Sequence, residues 1–207
     1  MSRKISGINK RLDGIYEENI RYSLNASGFH PDQTREQPNR LTSSVVDDSV
    51  LIGRDDAKSD MVKFLSDKSL PPSLSIVGMG GLGKTSLAQL VYNDESIGKY
   101  FELKMWVCIS DDFNVYKILQ NILESITGGT CGDLSNVDVL ANKVKERLAG
   151  KRYLLVLDDL WNEDIDDWEK LKNVLGFGSK ILVTTRNQKV ADVVGGKIYN
   201  FKKIIRC

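Results

Sequence analysis

Between residues 78 and 85 the chain reads Gly-Met-Gly-Gly-Leu-Gly-Lys-Thr, which is the G-x-x-x-x-G-K-[ST] spacing of a phosphate-binding loop. The flanks matter as much as the letters. Leu74-Ser75-Ile76-Val77 before it is short and apolar, the composition of a buried parallel strand. Leu87, Ala88, Leu90 and Val91 after it return at helical spacing, so the loop joins a strand end to a helix start. Gly78, Gly80, Gly81 and Gly83 allow the backbone to close round an anion and aim its N–H groups inward. The helix that begins near Lys84 adds the positive end of its dipole. Lys84 is then placed to reach the β- and γ-phosphates as a point charge, and the Thr85 hydroxyl to ligate Mg²⁺. The plain alternative is a glycine-rich turn carrying an exposed lysine.

The remaining strands are expected from similar apolar runs. Lys104–Ile109 is one, with Asp111-Asp112 as turn or cap residues behind it. Tyr153-Leu154-Leu155-Val156-Leu157 runs unbroken into Asp158-Asp159, which suits a central strand covered on both faces with its acids at the carboxyl end, where ligands sit in open α/β sheets. Lys180–Thr185 ends on Arg186, and Ile198–Phe201 makes a short last strand. Helical spacing links them: Met61, Val62 and Leu65, with Asp55-Asp56 expected to cap that helix; Ile118, Leu119, Ile122, Leu123 and Ile126; Val139, Leu140, Val144 and Leu148; Trp168, Leu171 and Leu175; Val190, Val193 and Val194. Alternating strand and helix predicts a three-layer α/β fold with a mostly parallel sheet.

Ahead of this lies a different kind of sequence. Ile5, Ile8, Leu12, Ile15, Asn19 and Tyr22 fall on steps of three and four, so residues 2–24 read as one amphipathic helix that needs a partner surface. It either belongs to a coiled coil that recruits a protein partner or packs on the domain itself. Residues 28–49, with Pro31, Pro38 and runs of Ser, Thr and Asp, read as a linker. The expected organisation is a helix over 1–27, a linker over 28–49 and a nucleotide-binding unit over 50–207.

Composition narrows the partners. At 207 residues and 41% hydrophobic the chain can bury a sizeable core, and 29 basic against 28 acidic residues leave a net charge of +1, with no bulk attraction to nucleic acid or anionic membrane. No apolar run approaches a membrane span and the start shows no secretory h-region, so the expected address is cytoplasmic or nuclear. Cys108, Cys131 and Cys207 are scattered and expected to be reduced, and His30 is given no role.

Mg²⁺ takes hard oxygen ligands and one or two of them from protein. Thr85 and Asp158 supply these. Asp159 either orients or deprotonates an attacking water or is a turn aspartate. Arg186 faces a γ-phosphate if its strand neighbours that of the phosphate loop, and is otherwise a surface arginine. Trp106, Trp161 and Trp168 are read as core anchors.

With the phosphate loop, Leu155–Trp161 and Gly178–Arg186 identified, the chain resembles the NB-ARC nucleotide-binding domain of plant intracellular immune receptors over residues 40–200. Residues 78–85, with Leu82 and the following Ser86, resemble its phosphate loop, and Ser86 replaces the family's usual second threonine. Ile52-Gly53-Arg54 resembles the entry motif that contacts adenine, and Trp161 resembles the residue typical of the coiled-coil class. The resemblance implies a P-loop NTPase fold and an ADP/ATP-operated switch using Mg²⁺, with hydrolysis slow at most. It also implies a truncated form, since the helical, winged-helix and leucine-rich repeat parts do not follow. Two other readings are a P-loop ATPase acting as a turnover enzyme and an interaction fragment independent of nucleotide.

Overall fold

The apolar runs become one parallel sheet. In chain order its strands are β1 (Ser73–Val77), β2 (Leu103–Cys108), β3 (Tyr153–Asp158), β4 (Lys180–Thr185) and β5 (Lys197–Asn200). They lie in the order β2-β3-β4-β1-β5, every neighbouring pair parallel. The computed structural model describes residues 42–46, 53–109, 113–130, 132, 136–176 and 179–201, all within one compact unit, Arg40–Cys207. The helix expected over 2–24, the linker up to residue 41, His30, Ile52, Asp111, Asp112, Cys131, Cys207 and Gly178 lie outside the described residues.

Before and between the strands run α1 (Asp55–Ser66), α2 (Lys84–Tyr92), α3 (Glu95–Tyr100), α4 (Val115–Thr127), α5 (Val137–Leu148), α6 (Ile165–Leu175) and α7 (Gln188–Val194). Side chains alternate across a strand, so each central strand feeds both faces of the sheet. Tyr153, Leu155 and Leu157 of β3 pack with Ile181 and Val183 of β4 against α4, α5, α6 and α7. Leu154, Val156 and Leu182 point the other way, with Leu74 and Ile76 of β1, against α1, α2 and α3. Three layers result, and the unbroken apolar run of β3 is explained by burial on both sides.

The helix starts follow local chemistry. Asp94, Asn114, Asn136, Asp164 and Asn187 each accept a backbone N–H from the first turn of α3, α4, α5, α6 and α7 respectively. Two expectations need correction. Asp55 and Asp56 do not cap α1: Arg54 holds the cap position without a side-chain bond, and the two acids stand in the first turn, where they face the positive end of the dipole. The six-residue α3 was not expected at all. Cys108 forms no disulfide, and no helix among the described residues is long and apolar enough to cross a membrane.

Candidate functional site

β4 lies directly beside β1, with Val77 opposite Thr185, so the tips of β1, β3 and β4 meet at one end of the sheet. The loop from Gly78 leaves the tip of β1, and its first N–H donates to the Thr185 carbonyl at 3.2 Å. Gly81 and Gly83 adopt φ of +76° and +91°, a region that glycine enters without penalty. Gly78 is excluded from carrying a side chain by a different cause: a Cβ there would come within 2.9 Å of the Phe201 carbonyl oxygen. Leu82 lies against the same glycine, and Ser86 occupies the first turn of α2.

Lys84 opens α2 and is only 6% exposed. Its Nζ donates to the Met79 carbonyl at 3.0 Å, back across the loop. Burial pushes its pKa below the ordinary lysine value and the Arg186 charge adds to that, while the Asp159 and Asp158 carboxylates pull the other way. An anion beside this ammonium relieves both unfavourable influences.

Asp158, fully buried at the end of β3, receives three hydroxyls. Thr85 donates to Oδ1 at 3.1 Å, Thr184 donates to the same oxygen, and Thr42 donates to Oδ2 at 2.8 Å. Thr184 is bifunctional: its Oγ1 also accepts the Asp159 N–H at 2.9 Å, and its carbonyl accepts the Leu160 N–H at 2.9 Å. These bonds hook the tip of β3 to the tip of β4. Asp159 is held there at φ +57°, in the left-handed region that few residues other than glycine enter.

The strained turn sends the Asp159 carboxylate to Arg186, whose Nη2 lies 3.3 Å from Oδ2. Beneath the guanidinium lies Trp161, with its ring centroid 4.8 Å from Cζ. Trp161 is 42% exposed, so it is a platform for Arg186 and not the core anchor expected from the sequence. Trp168 is buried as expected, and Trp106 packs partly buried against the α1–α3 side. A Cβ on Gly80 would stand 3.2 Å from Arg186 Nη1, which puts the arginine against the phosphate loop. Its Nε is buried without a hydrogen-bond partner. Arg54 reaches the same end of the sheet by stacking on Phe201 at 3.9 Å, and the Phe201 N–H in turn donates to the Val77 carbonyl at 2.6 Å. Gly53 precedes it at φ +82°.

This arrangement fits a phosphorylated ligand. The loop has no room for a side chain at Gly78, Lys84 and Arg186 present two cations to one volume, and a buried guanidinium nitrogen lacks a partner. Asp158 and Thr85 are a hard oxygen pair of the kind Mg²⁺ uses. No cluster of three or more His, Cys, Asp or Glu occurs among the described residues, so a cation here would take most of its ligands from phosphate and water. The structure thus brings together Gly78, Gly80, Gly81, Leu82, Gly83, Lys84, Thr85, Ser86, Asp158, Asp159 and Arg186, with Gly53 and Arg54 nearby. Sequence reasoning missed Thr42, Thr184 and Trp161 as parts of this cluster. For Thr184 a signal existed, since a hydroxyl inside an apolar strand beside the acid-tipped one needs a buried partner.

The chain is 39% identical over 202 residues to disease resistance protein RGA2 of Solanum bulbocastanum, covering 94% of this chain and 20% of that protein. It is 34% identical over 196 residues to disease resistance RPP13-like protein 4 of Arabidopsis thaliana, covering 92% of this chain and 22% of that protein. The chain therefore spans about one fifth of the length of these relatives. Among solved structures it is similar in fold to the Aeropyrum pernix ORC1 protein in complex with DNA, with a TM-score of 0.58 at 17% identity over 74% of this chain and 46% of that one. Cdc6p from Pyrobaculum aerophilum gives 0.59 at 18% identity over 77% and 48%. Residues 54–205 match the NB-ARC domain model, and the chain belongs to that family.

Proposed function

We propose that this chain is the ADP/ATP-binding module of a plant intracellular immune receptor, working as a switch that reads the γ-phosphate. The observation that carries the reading is the convergence of Lys84 and Arg186 on one loop, made possible by β4 lying beside β1. Lys84 and the loop N–H groups bind the phosphates, Ile52-Gly53-Arg54 contacts the adenine, and Thr85 and Asp158 hold Mg²⁺, which would neutralise phosphate charge. Arg186 distinguishes ATP from ADP because a γ-phosphate completes its hydrogen bonding in place of the Asp159 contact. The amphipathic segment over residues 2–24 offers a surface to a protein partner.

Hydrolysis is slow in this reading. Asp159 is the candidate base, and its carboxylate pairs with Arg186 until a γ-phosphate takes that contact. The direct test is the nucleotide content of the purified, denatured chain, followed by calorimetry with ADP and ATP. Copurified ADP near one per chain, lost in Lys84→Ala, is expected. A soluble chain that gives no heat with either nucleotide refutes the reading. Phosphate release of many turnovers per minute, abolished in Asp159→Ala, would instead establish a turnover enzyme.

A further inference from the structure

Thr42 lies in a stretch whose composition marks a linker, yet its hydroxyl donates to Asp158 Oδ2 at 2.8 Å. The next two residues are fastened to α2: the Gln89 amide donates to the Ser43 carbonyl at 2.6 Å and the Asn93 amide to the Ser44 carbonyl at 2.7 Å. Thr85 and Gln89 share one face of α2, and Asn93, four residues on, stands at its C-terminal cap. The linker therefore tracks that face, and its end rests on the carboxylate assigned to the cation.

Each oxygen of that carboxylate offers about two acceptor positions. On Oδ1 both are taken by Thr85 and Thr184. A hydrated Mg²⁺ is thus left with Oδ2, where Thr42 already takes one of the two positions. Thr85 can keep its hydrogen bond while a lone pair of its oxygen turns to the ion, because the donor and acceptor functions of a hydroxyl are separate. Asp158 is fully buried, and Mg²⁺ holds its waters in a rigid near-octahedral shell, so the ion and the linker hydroxyl crowd the same oxygen.

Resting on the reading of Asp158 as the cation's ligand, we propose that Thr42 is a positioning residue that competes with magnesium for Asp158 Oδ2. Arrival of the nucleotide-bound cation then releases residues 42–46 from α2. Occupancy of the metal site is converted into freedom of the segment that leads into the domain. Coupling of this kind is reciprocal, so whatever holds the linker down weakens magnesium by the same factor.

The test uses the full 207-residue chain and two readouts. Cleavage by proteinase K within residues 42–46 is measured with saturating ADP, before and after Mg²⁺, and Mg²⁺ is titrated against a fluorescent ADP analogue. Mg²⁺ is expected to speed that cleavage by about fivefold or more, the usual lower range of such couplings. Thr42→Val should lower the half-saturating Mg²⁺ by a similar factor, and Thr42→Ser, which keeps the hydroxyl, should match the parent chain. Gln89→Ala, which loosens the strap without touching the carboxylate, should shift Mg²⁺ in the same direction and decides the matter if the valine variant fails to fold. Linker cleavage unchanged or slowed by Mg²⁺, or weaker Mg²⁺ binding in Thr42→Val or Gln89→Ala, overturns the proposal alone. A parent chain that binds no ADP, or binds it without regard to Mg²⁺, overturns the proposed function as well.

Discussion

Thr184→Val isolates the bond system at the tip of β4. The two side chains have nearly the same shape, so packing is kept while the hydroxyl is lost. In the parent, that hydroxyl donates to the buried Asp158 carboxylate and accepts the Asp159 N–H at 2.9 Å. Removing it takes a donor from a charged group, worth about 1.5–3 kcal/mol, and strands an amide, worth about 1–3 kcal/mol. Together these give a destabilisation of about 2.5–6 kcal/mol, large beside the roughly 5–15 kcal/mol typical of a whole domain. The left-handed turn at Asp159 also loses its anchor. Urea unfolding monitored by circular dichroism measures the effect: with a slope of about 2 kcal/mol per molar, the midpoint should fall by about 2 M. Thr184→Ser, which keeps both hydrogen bonds and drops one methyl, should lose about 1 kcal/mol. A valine variant within about 0.5 kcal/mol of the parent, the scatter of an inert substitution, would show that the carboxylate and the amide find other partners on their own, and the account of the site's rigidity would be wrong.

Other perturbations probe separate parts of the molecule. Gly78→Ala brings a methyl to 2.9 Å from the Phe201 carbonyl oxygen, a backbone atom that cannot swing aside; overpacking of this kind costs about 1–3 kcal/mol and should appear in a thermal melt as well as in lost ADP binding. Trp161→Ala removes the platform under Arg186, a contact worth about 0.5–2 kcal/mol, and should narrow the preference between ATP and ADP in competition titrations while leaving ADP affinity nearly unchanged. Tyr153 donates to the Leu175 carbonyl at 2.6 Å, and burial pushes its phenol up to about 12 from 10.0. Because the folded value is the higher one, its stabilising contribution is complete below pH 10 and is lost as pH rises through 12. Unfolding midpoints of Tyr153→Phe should therefore fall less steeply than those of the parent across that alkaline window.

What could be read from the letters alone depended on which signals are local. The loop from Gly78 to Thr85 carries its own chemistry, and β3 announces itself because burial on both faces demands an unbroken apolar run into Asp158. The adjacency of β1 and β4 is not written in either strand, since it depends on where two crossovers land, yet the role of Arg186 rests on it. α3 went unseen because six residues with one buried side chain, Ile97, leave no periodicity to count. Trp161 was misplaced because a large aromatic beside a strand is usually buried; here a cation occupies its face instead. Thr42 was hidden for the opposite reason: Ser- and Thr-rich sequence looks featureless until a carboxylate from the far side of the domain is found to need its hydroxyl.

The position of β1 in the sheet has a consequence for how the molecule is made. Its ladder partners are β4 and β5, and both emerge from the ribosome long after the glycine-rich segment does. Until then the strand that carries the loop has no neighbour to pair with, so the cradle cannot take shape early in translation. Assembly must wait for closure across most of the domain, which places this fold among slow folders. Nucleotide can be captured only once nearly all of the domain has been synthesised, and a nascent chain stalled before β4 would expose the apolar β1 and β3 to chaperones.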